Sequence, residues 1–132
     1  MTEILTGKEG IERAAELIKK GEVVVFPTET VYGLGANVFD KNAVRKIFEV
    51  KGRPMDNPLI VHIADIAQID KLACEVTLQA RKVMQAFMPG PITVIVKKSD
   101  AISDEVSAGL KTVGIRFPSH AVAQEFIRAC GV

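Results

Sequence analysis

The sequence predicts an α/β fold, because segments with helical and with strand periodicity alternate along its 132 residues. Composition narrows this to one compact domain. Hydrophobic residues make up 48% and charged residues 25% of the chain, with 17 Lys+Arg against 16 Asp+Glu, a balance that excludes a charge-driven disordered segment. A chain of this size buries roughly two-thirds of its unfolded surface, and no repeat, low-complexity segment or internal linker interrupts it. A net charge of +1 gives no global attraction to nucleic acid or membrane, so any anion site must come from local clustering.

The first helix is expected over about residues 7–20. Thr6-x-x-Glu9 has the capping-box pattern, Ile11, Ala14, Ala15 and Ile18 recur at helical spacing, and Gly21 offers a stop. Val23-Val24-Val25-Phe26 is continuous and mostly β-branched, ends at Pro27, and predicts a strand buried on both faces. Asp40 caps a second helix that carries Val44, Ile47 and Phe48 and stops at Gly52. Leu59 to Ile63 predicts a second strand. A helix from about Glu75 to Met88 sets Val76, Ala80, Val83, Met84 and Phe87 on one stripe, and Pro89-Gly90-Pro91 breaks it.

Ile92, Val94 and Val96 then alternate as a strand, residues 99–111 read as a polar loop, and Thr112 to Phe117 gives another strand. Ser119 is expected to cap a last helix running to about Cys130. Only Gly131 and Val132 follow it, whereas a βα unit normally returns into its sheet with a further strand. The expectation is of one domain, stopped early.

Cys74 and Cys130 form no C-x-x-C pair, which favours two buried, reduced thiols over a zinc or thioredoxin-like site. The N-terminus lacks an apolar signal-like stretch, and the longest apolar runs are too short to span a bilayer. A cytoplasmic protein without a membrane partner is expected.

Ordinary nucleotide-binding motifs are missing: there is no G-x-x-x-x-G-K-[ST], and Gly33-Leu34-Gly35 is too little of a G-x-G-x-x-G. The strongest local signal is Lys51-Gly52-Arg53-Pro54-Met55-Asp56-Asn57-Pro58-Leu59, between a helix end and a strand. Over residues 45–54, Arg45, Lys46, Lys51 and Arg53 face one acid, Glu49. Lys51 supplies a point charge, Arg53 a planar fork suited to phosphate, and Asn57 an orienting amide. A helix C-terminus with favourable cations and a proline-set turn accounts for the same letters equally well.

Pro27-Thr28-Glu29-Thr30-Val31-Tyr32-Gly33-Leu34-Gly35 is rich in hydroxyls and glycine at the carboxyl end of a strand, where open α/β sheets place ligands. A self-capping threonine turn would use the same residues. On the strand at 112–117, Thr112, Gly114 and Arg116 share one face and Val113, Ile115 and Phe117 the other. One face is core and the other a site, with Gly114 expected to leave open space for a bound anion. His62, alternating with Val61 and Ile63, fits a hydrogen-bonded core histidine better than a catalyst on pattern alone, and His120 is expected at the surface.

Taken in order, Pro-Thr-Glu-Thr-Val-Tyr-Gly-Leu-Gly, Lys-Gly-Arg-Pro with Asn-Pro-Leu, Pro-Gly-Pro-Ile-Thr and Thr-Val-Gly-Ile-Arg-Phe-Pro resemble the YrdC/Sua5 family across almost the whole chain. The resemblance implies a twisted mixed sheet flanked by helices, with a positively charged concave face and the C-terminal part missing, over residues 1–132. It implies L-threonylcarbamoyladenylate synthase activity: L-threonine, bicarbonate and ATP give threonylcarbamoyl-AMP and pyrophosphate, for modification of tRNA adenosine-37. Thr30, His62 and Arg116 are then implied around L-threonine, Arg53, Asn57 and Thr112 around ATP, and Lys51 and Arg53 at the reacting phosphates.

Mg²⁺ is implied with ATP, from solution, with no metal site of the protein's own. Family members continue into a strand and a Ser-x-Asn motif that contacts the nucleotide, so a chain ending at Val132 is expected to be a poor synthase by itself. Two alternatives remain: a module that binds double-stranded RNA or tRNA, alongside other tRNA-modification proteins, without catalysis of its own, and a carbamoyl-transfer module like those in hydrogenase-maturation proteins.

Arg53→Ala is expected to weaken nucleotide binding more than folding, by about 1.5–3 kcal/mol for a charge-assisted phosphate contact. Equal ATP affinity of mutant and parent in a calorimetric titration would remove Arg53 from the site.

Overall fold

The computed structural model describes residues 7–27, 32–51 and 59–131, with Tyr32 and Lys51 described by their backbone. Helix α1 (Gly7–Lys19) is followed by β1 (Val24–Pro27), β2 (Tyr32–Gly35), α2 (Lys41–Lys51) and β3 (Ile60–His62). A 3₁₀ turn (Ile66–Gln68) leads into α3 (Ile69–Leu72), β4 (Ala73–Glu75), α4 (Leu78–Phe87), β5 (Thr93–Lys98), α5 (Asp104–Ser107), β6 (Thr112–Arg116) and α6 (Ala121–Cys130). The expected α/β class and mixed sheet are both present. The larger sheet runs β3-β6-β5-β4, with β3 parallel to β6 and the other pairs antiparallel.

Helix α1 ends as the glycine predicts. Gly21 adopts φ +86°, its N–H donates to the Ile18 carbonyl at 3.0 Å, and the Glu22 N–H donates to Leu17 at 2.9 Å, the paired bonds of a Schellman stop. The same turn meets the start of α2, where Asp40 Oδ1 accepts from the N–H groups of Asn42 and Ala43 at 3.0 and 3.2 Å. Lys46 reaches back from α2 to donate to the Gly21 carbonyl at 3.0 Å. The end of one helix and the cap of the next thus form one polar junction. Thr6 and Gly52, expected to cap α1 and stop α2, lie outside the described residues.

Two apolar clusters divide the molecule. The larger lies beneath one face of the sheet, where Val61, Ile63, Val94, Val96, Val113 and Ile115 meet Val44 and Phe48 from α2 and Met84 from α4. The smaller joins Ala14, Ala15 and Ile18 of α1 to Phe126, Ile127 and Cys130 of α6, with Phe26 of β1 between them.

Several expectations are corrected. The strand at β1 is not buried on both faces: it pairs antiparallel with β2, and Val25 is 62% exposed. That partner strand was concealed by its composition, since Tyr-Gly-Leu-Gly reads as a turn. Glu75 belongs to β4, Thr77 caps α4 through its side chain, and Phe87 is exposed rather than on the core stripe. His120, not Ser119, occupies the N-cap of α6, and it is half-buried with Nδ1 fully enclosed. Cys74 is exposed while Cys130 is buried.

The largest departure is at residues 99–111, which carry α5 and part of the core. Ile102 and Val106 are 2% and 1% exposed, the Leu59 N–H donates to the Val106 carbonyl at 2.8 Å, and Lys98 Nζ donates to the Ile102 carbonyl at 3.1 Å and to Asp104 at 2.7 Å. Ile102→Ala is therefore expected to destabilise the fold by about 2–5 kcal/mol, measured as a lower denaturation midpoint at unchanged m-value. A loss below about 0.5 kcal/mol, the range of surface substitutions, would return this segment to the status of a surface loop.

Candidate functional site

The upper face of the larger sheet is the face that none of the described helices covers, and strand register decides what stands on it. His62 pairs with Arg116 and Ile60 with Gly114 across the parallel ladder, while Arg116 pairs with Thr93, Gly114 with Ile95 and Thr112 with Lys97 across the antiparallel one. Side chains opposite one another in a sheet lie roughly 4.5–5.5 Å apart at Cβ. The polar row His62, Arg116, Thr93 therefore spans three strands. Thr112 stands on the same face, four residues along β6 from Arg116.

His62 is held from two sides. Its ring meets Phe26 edge to face, with centroids 5.7 Å apart and planes at 87°, and its Nδ1 lies 3.3 Å from the Ile60 carbonyl. The imidazole is thereby aimed along the sheet edge, where a cavity of about 360 Å³ opens between the β1–β2 hairpin and β3. Phe26, Leu34, Val44, Ile60, His62 and Cys130 contribute to its wall. Burial pushes the Cys130 thiol up to about 11, with the charge of Lys19 opposing that shift, so this sulfur is an apolar wall group rather than a nucleophile.

The open space expected above Gly114 is absent. A Cβ built there would lie 2.9 Å from Thr93 Cγ2 and 3.9 Å from Ile60 Cγ1. The glycine allows its neighbours to close over the strand, leaving a flat surface. The basic cluster is also smaller than its sequence window. Arg45 is paired with Glu105 at 2.7 Å, and its hydrogen bond is the main cause that holds the Glu105 carboxyl below its ordinary 4.5. Lys46 is committed to Gly21 and to Glu22, the latter at 3.4 Å. Of the four cations, Lys51 remains as the last residue of α2 and Arg53 lies outside the described residues, as do Thr30 and Asn57.

Thus the structure brings His62 and Arg116 side by side and sets Thr112 on their face. Thr93, Ile60 and Ile95 join that face without having been singled out. The signal for them was the alternation of Thr93, Ile95 and Lys97, legible once Val94 and Val96 are assigned inward. No described helix is long and apolar enough to cross a membrane.

The sequence model of the Sua5/YciO/YrdC family, described as telomere recombination, matches residues 16–132. The chain belongs to the Sua5/YciO/YrdC family. Within it, the Bacillus subtilis threonylcarbamoyl-AMP synthase is 52% identical over 131 residues, a match covering 98% of this chain and 38% of that relative. The crystal structure of Pyrococcus abyssi Sua5 complexed with L-threonine matches 97% of this chain and 38% of its own, at 45% identity and a TM-score of 0.92. Escherichia coli YciO matches 99% of this chain and 66% of its own, at 28% identity and a TM-score of 0.86. The chain spans well under half the length of the threonylcarbamoyl-AMP synthase from Bacillus subtilis.

The contrast between the two cysteines of this Sua5/YciO/YrdC domain is directly measurable. With a thiol reagent at pH 8, Cys74 is expected to react quickly in the native protein, and Cys130 only on unfolding. Two fast thiols without denaturant would mean that the wall containing Cys130 is open.

Proposed function

We propose that this chain is the part of a threonylcarbamoyl-AMP synthase that assembles L-threonine, bicarbonate and ATP. The observation that carries the reading is the register placing Arg116 beside His62 and Thr93 on the uncovered sheet face. Support comes from the relative named threonylcarbamoyl-AMP synthase and from the Sua5 complexed with L-threonine. A guanidinium on a strand, flanked by a hydroxyl and an imidazole, suits an amino acid carboxylate held bidentately beside its amine.

In this reading Thr30, His62 and Arg116 hold L-threonine, and Arg53, Asn57 and Thr112 hold ATP, which arrives with Mg²⁺ as part of the substrate. The threonine amine adds to bicarbonate and water leaves, giving a carbamate. A carbamate oxygen then attacks the α-phosphorus, the bond to the β-phosphate oxygen breaks, and pyrophosphate departs. Lys51 and Arg53 offset the negative charge that grows on the departing phosphates. Positioning supplies the remainder, because two anions must be held within reacting distance.

The phosphate-binding residues precede β3, so ATP enters at the end of the sheet marked by Ile60 and Thr112. L-Threonine occupies the other end, at His62 and Arg116. The product carries the threonylcarbamoyl group towards tRNA adenosine, through other tRNA-modification proteins, in the cytoplasm. A module that only binds RNA would instead show RNA affinity falling steeply with salt and no binding of L-threonine.

Arg116→Lys keeps the charge but loses the fork, and is expected to weaken L-threonine binding roughly tenfold to a hundredfold while ATP affinity and the circular dichroism spectrum stay unchanged. Calorimetric titration of each ligand, with pyrophosphate release where turnover is detectable, makes the comparison. Unaltered threonine affinity would take Arg116 out of the site, and a parent chain that binds no threonine would overturn the function itself.

A further inference from the structure

Gly33-Leu34-Gly35 is too short for a dinucleotide fingerprint, and the reaction described above gives its second glycine no task. The backbone does not demand a glycine there either: the left-handed φ values among the described glycines belong to Gly7, Gly21, Gly109 and Gly131. What demands it is space. A Cβ on Gly35 would lie 2.8 Å from Phe26 Cε1 and 3.2 Å from Phe26 Cδ1, closer than carbon atoms pack. In the ribbon Gly35 pairs with Val24 and Phe26 with Gly33, so Gly35 is the diagonal neighbour of Phe26 on one face. The aromatic ring lies across it.

That ring is hemmed in. It is 7% exposed, Phe126 of α6 lies 5.3 Å away at a 44° tilt, and the His62 ring meets it edge to face. A perpendicular aromatic pair has a directional preference beyond the area it buries. The other restraint on His62 is the contact of Nδ1 with the Ile60 carbonyl at 3.3 Å. A carbonyl only accepts, so this contact uses the Nδ1–H tautomer and makes Nε2 of the neutral ring an acceptor. A turn of the imidazole about χ2 breaks the contact and carries Nε2 away from the row it shares with Arg116.

We propose that Gly35 and Phe26 are positioning residues for His62: the absent side chain at position 35 seats the Phe26 ring, and the ring holds the imidazole in the orientation that meets L-threonine. This rests on the synthase reading above, and extends it from residues that touch the amino acid to two that act through one of them. A methyl group added at position 35 pushes the ring towards His62 or Phe126. Loss of the ring removes the edge-to-face contact that restrains χ2.

Gly35→Ala, Phe26→Leu and the double variant test this. The chain has two histidines, so its imidazole proton resonances belong to His62 or His120; His62→Gln assigns them, and His120 serves as the internal reference. Each single variant is expected to shift the His62 resonances, leave those of His120 in place, and weaken L-threonine binding about twofold to tenfold. Affinity for ATP with Mg²⁺, measured by the same calorimetry, stays unchanged. Leucine lacks the ε carbon that meets a Cβ at position 35, so Gly35→Ala costs little more in the Phe26→Leu background, and the double variant loses less than the product of the singles. Unmoved His62 resonances or unaltered threonine affinity in either single variant would overturn the positioning role. Equal losses for L-threonine and ATP would do the same, by making the effect one of general folding, and fully multiplicative losses would show that Gly35 does not act through Phe26. If the parent binds no L-threonine, the synthase reading falls, while the His62 resonances still decide whether these two residues set the imidazole.

Discussion

β3 and β6 run parallel, and their pairing of Ile60 with Gly114, Val61 with Ile115 and His62 with Arg116 fixes which side chains meet on each face of the sheet. Parallel neighbours cannot be joined by a hairpin, so the chain travels out through α3 and β4, back through α4 and β5, and only then lays β6 beside β3. A slip of one residue would turn Arg116 into the core and Ile115 into water. Burying a guanidinium without a partner is far more costly than leaving a methyl group exposed. The apolar residues beneath, Val61, Ile115 and Val94 among them, therefore hold the polar row in place from the opposite side.

Charge works differently here from what a sequence window suggests. Arg45 and Lys46 belong to a run of cations in the sequence, yet Glu105 lies 60 residues from Arg45 in sequence and Gly21 lies 25 from Lys46. These long-range partners fasten α2 to α5 and to the end of α1. Arg116, by contrast, stands on the face of the larger sheet, away from that run.

The α/β class and the two-faced strand at β6 were legible because their periods, 3.6 and 2, survive in the sequence. The cap at Asp40 and the stop at Gly21 were legible because their mechanisms are local. What was hidden depended on distant atoms. Gly35 reads as a turn residue, but it lies within β2, paired with Val24, where a Cβ would come within 2.8 Å of the Phe26 ring. Ile102 and Val106 sit among polar neighbours in a helix of four residues, too short to show any periodicity. Of the proposed site, the Arg116 face was visible in the sequence, its glycine was assigned the wrong reason, and the neighbouring Thr93, Ile60 and Ile95 emerged only with the strand register.

The β1–β2 ribbon has no strand partner beyond itself among the described residues. Two strands alone are marginal in water, so this ribbon depends on Phe26, whose ring packs tilted against Phe126 at 5.3 Å and edge to face against His62 at 5.7 Å. Its backbone amides accordingly belong to a cooperative unit that opens at lower free energy than β5 and β6. Each such opening withdraws the ring that orients His62. The orientation of the imidazole is thereby tied to the packing of a hairpin that stands outside the larger sheet.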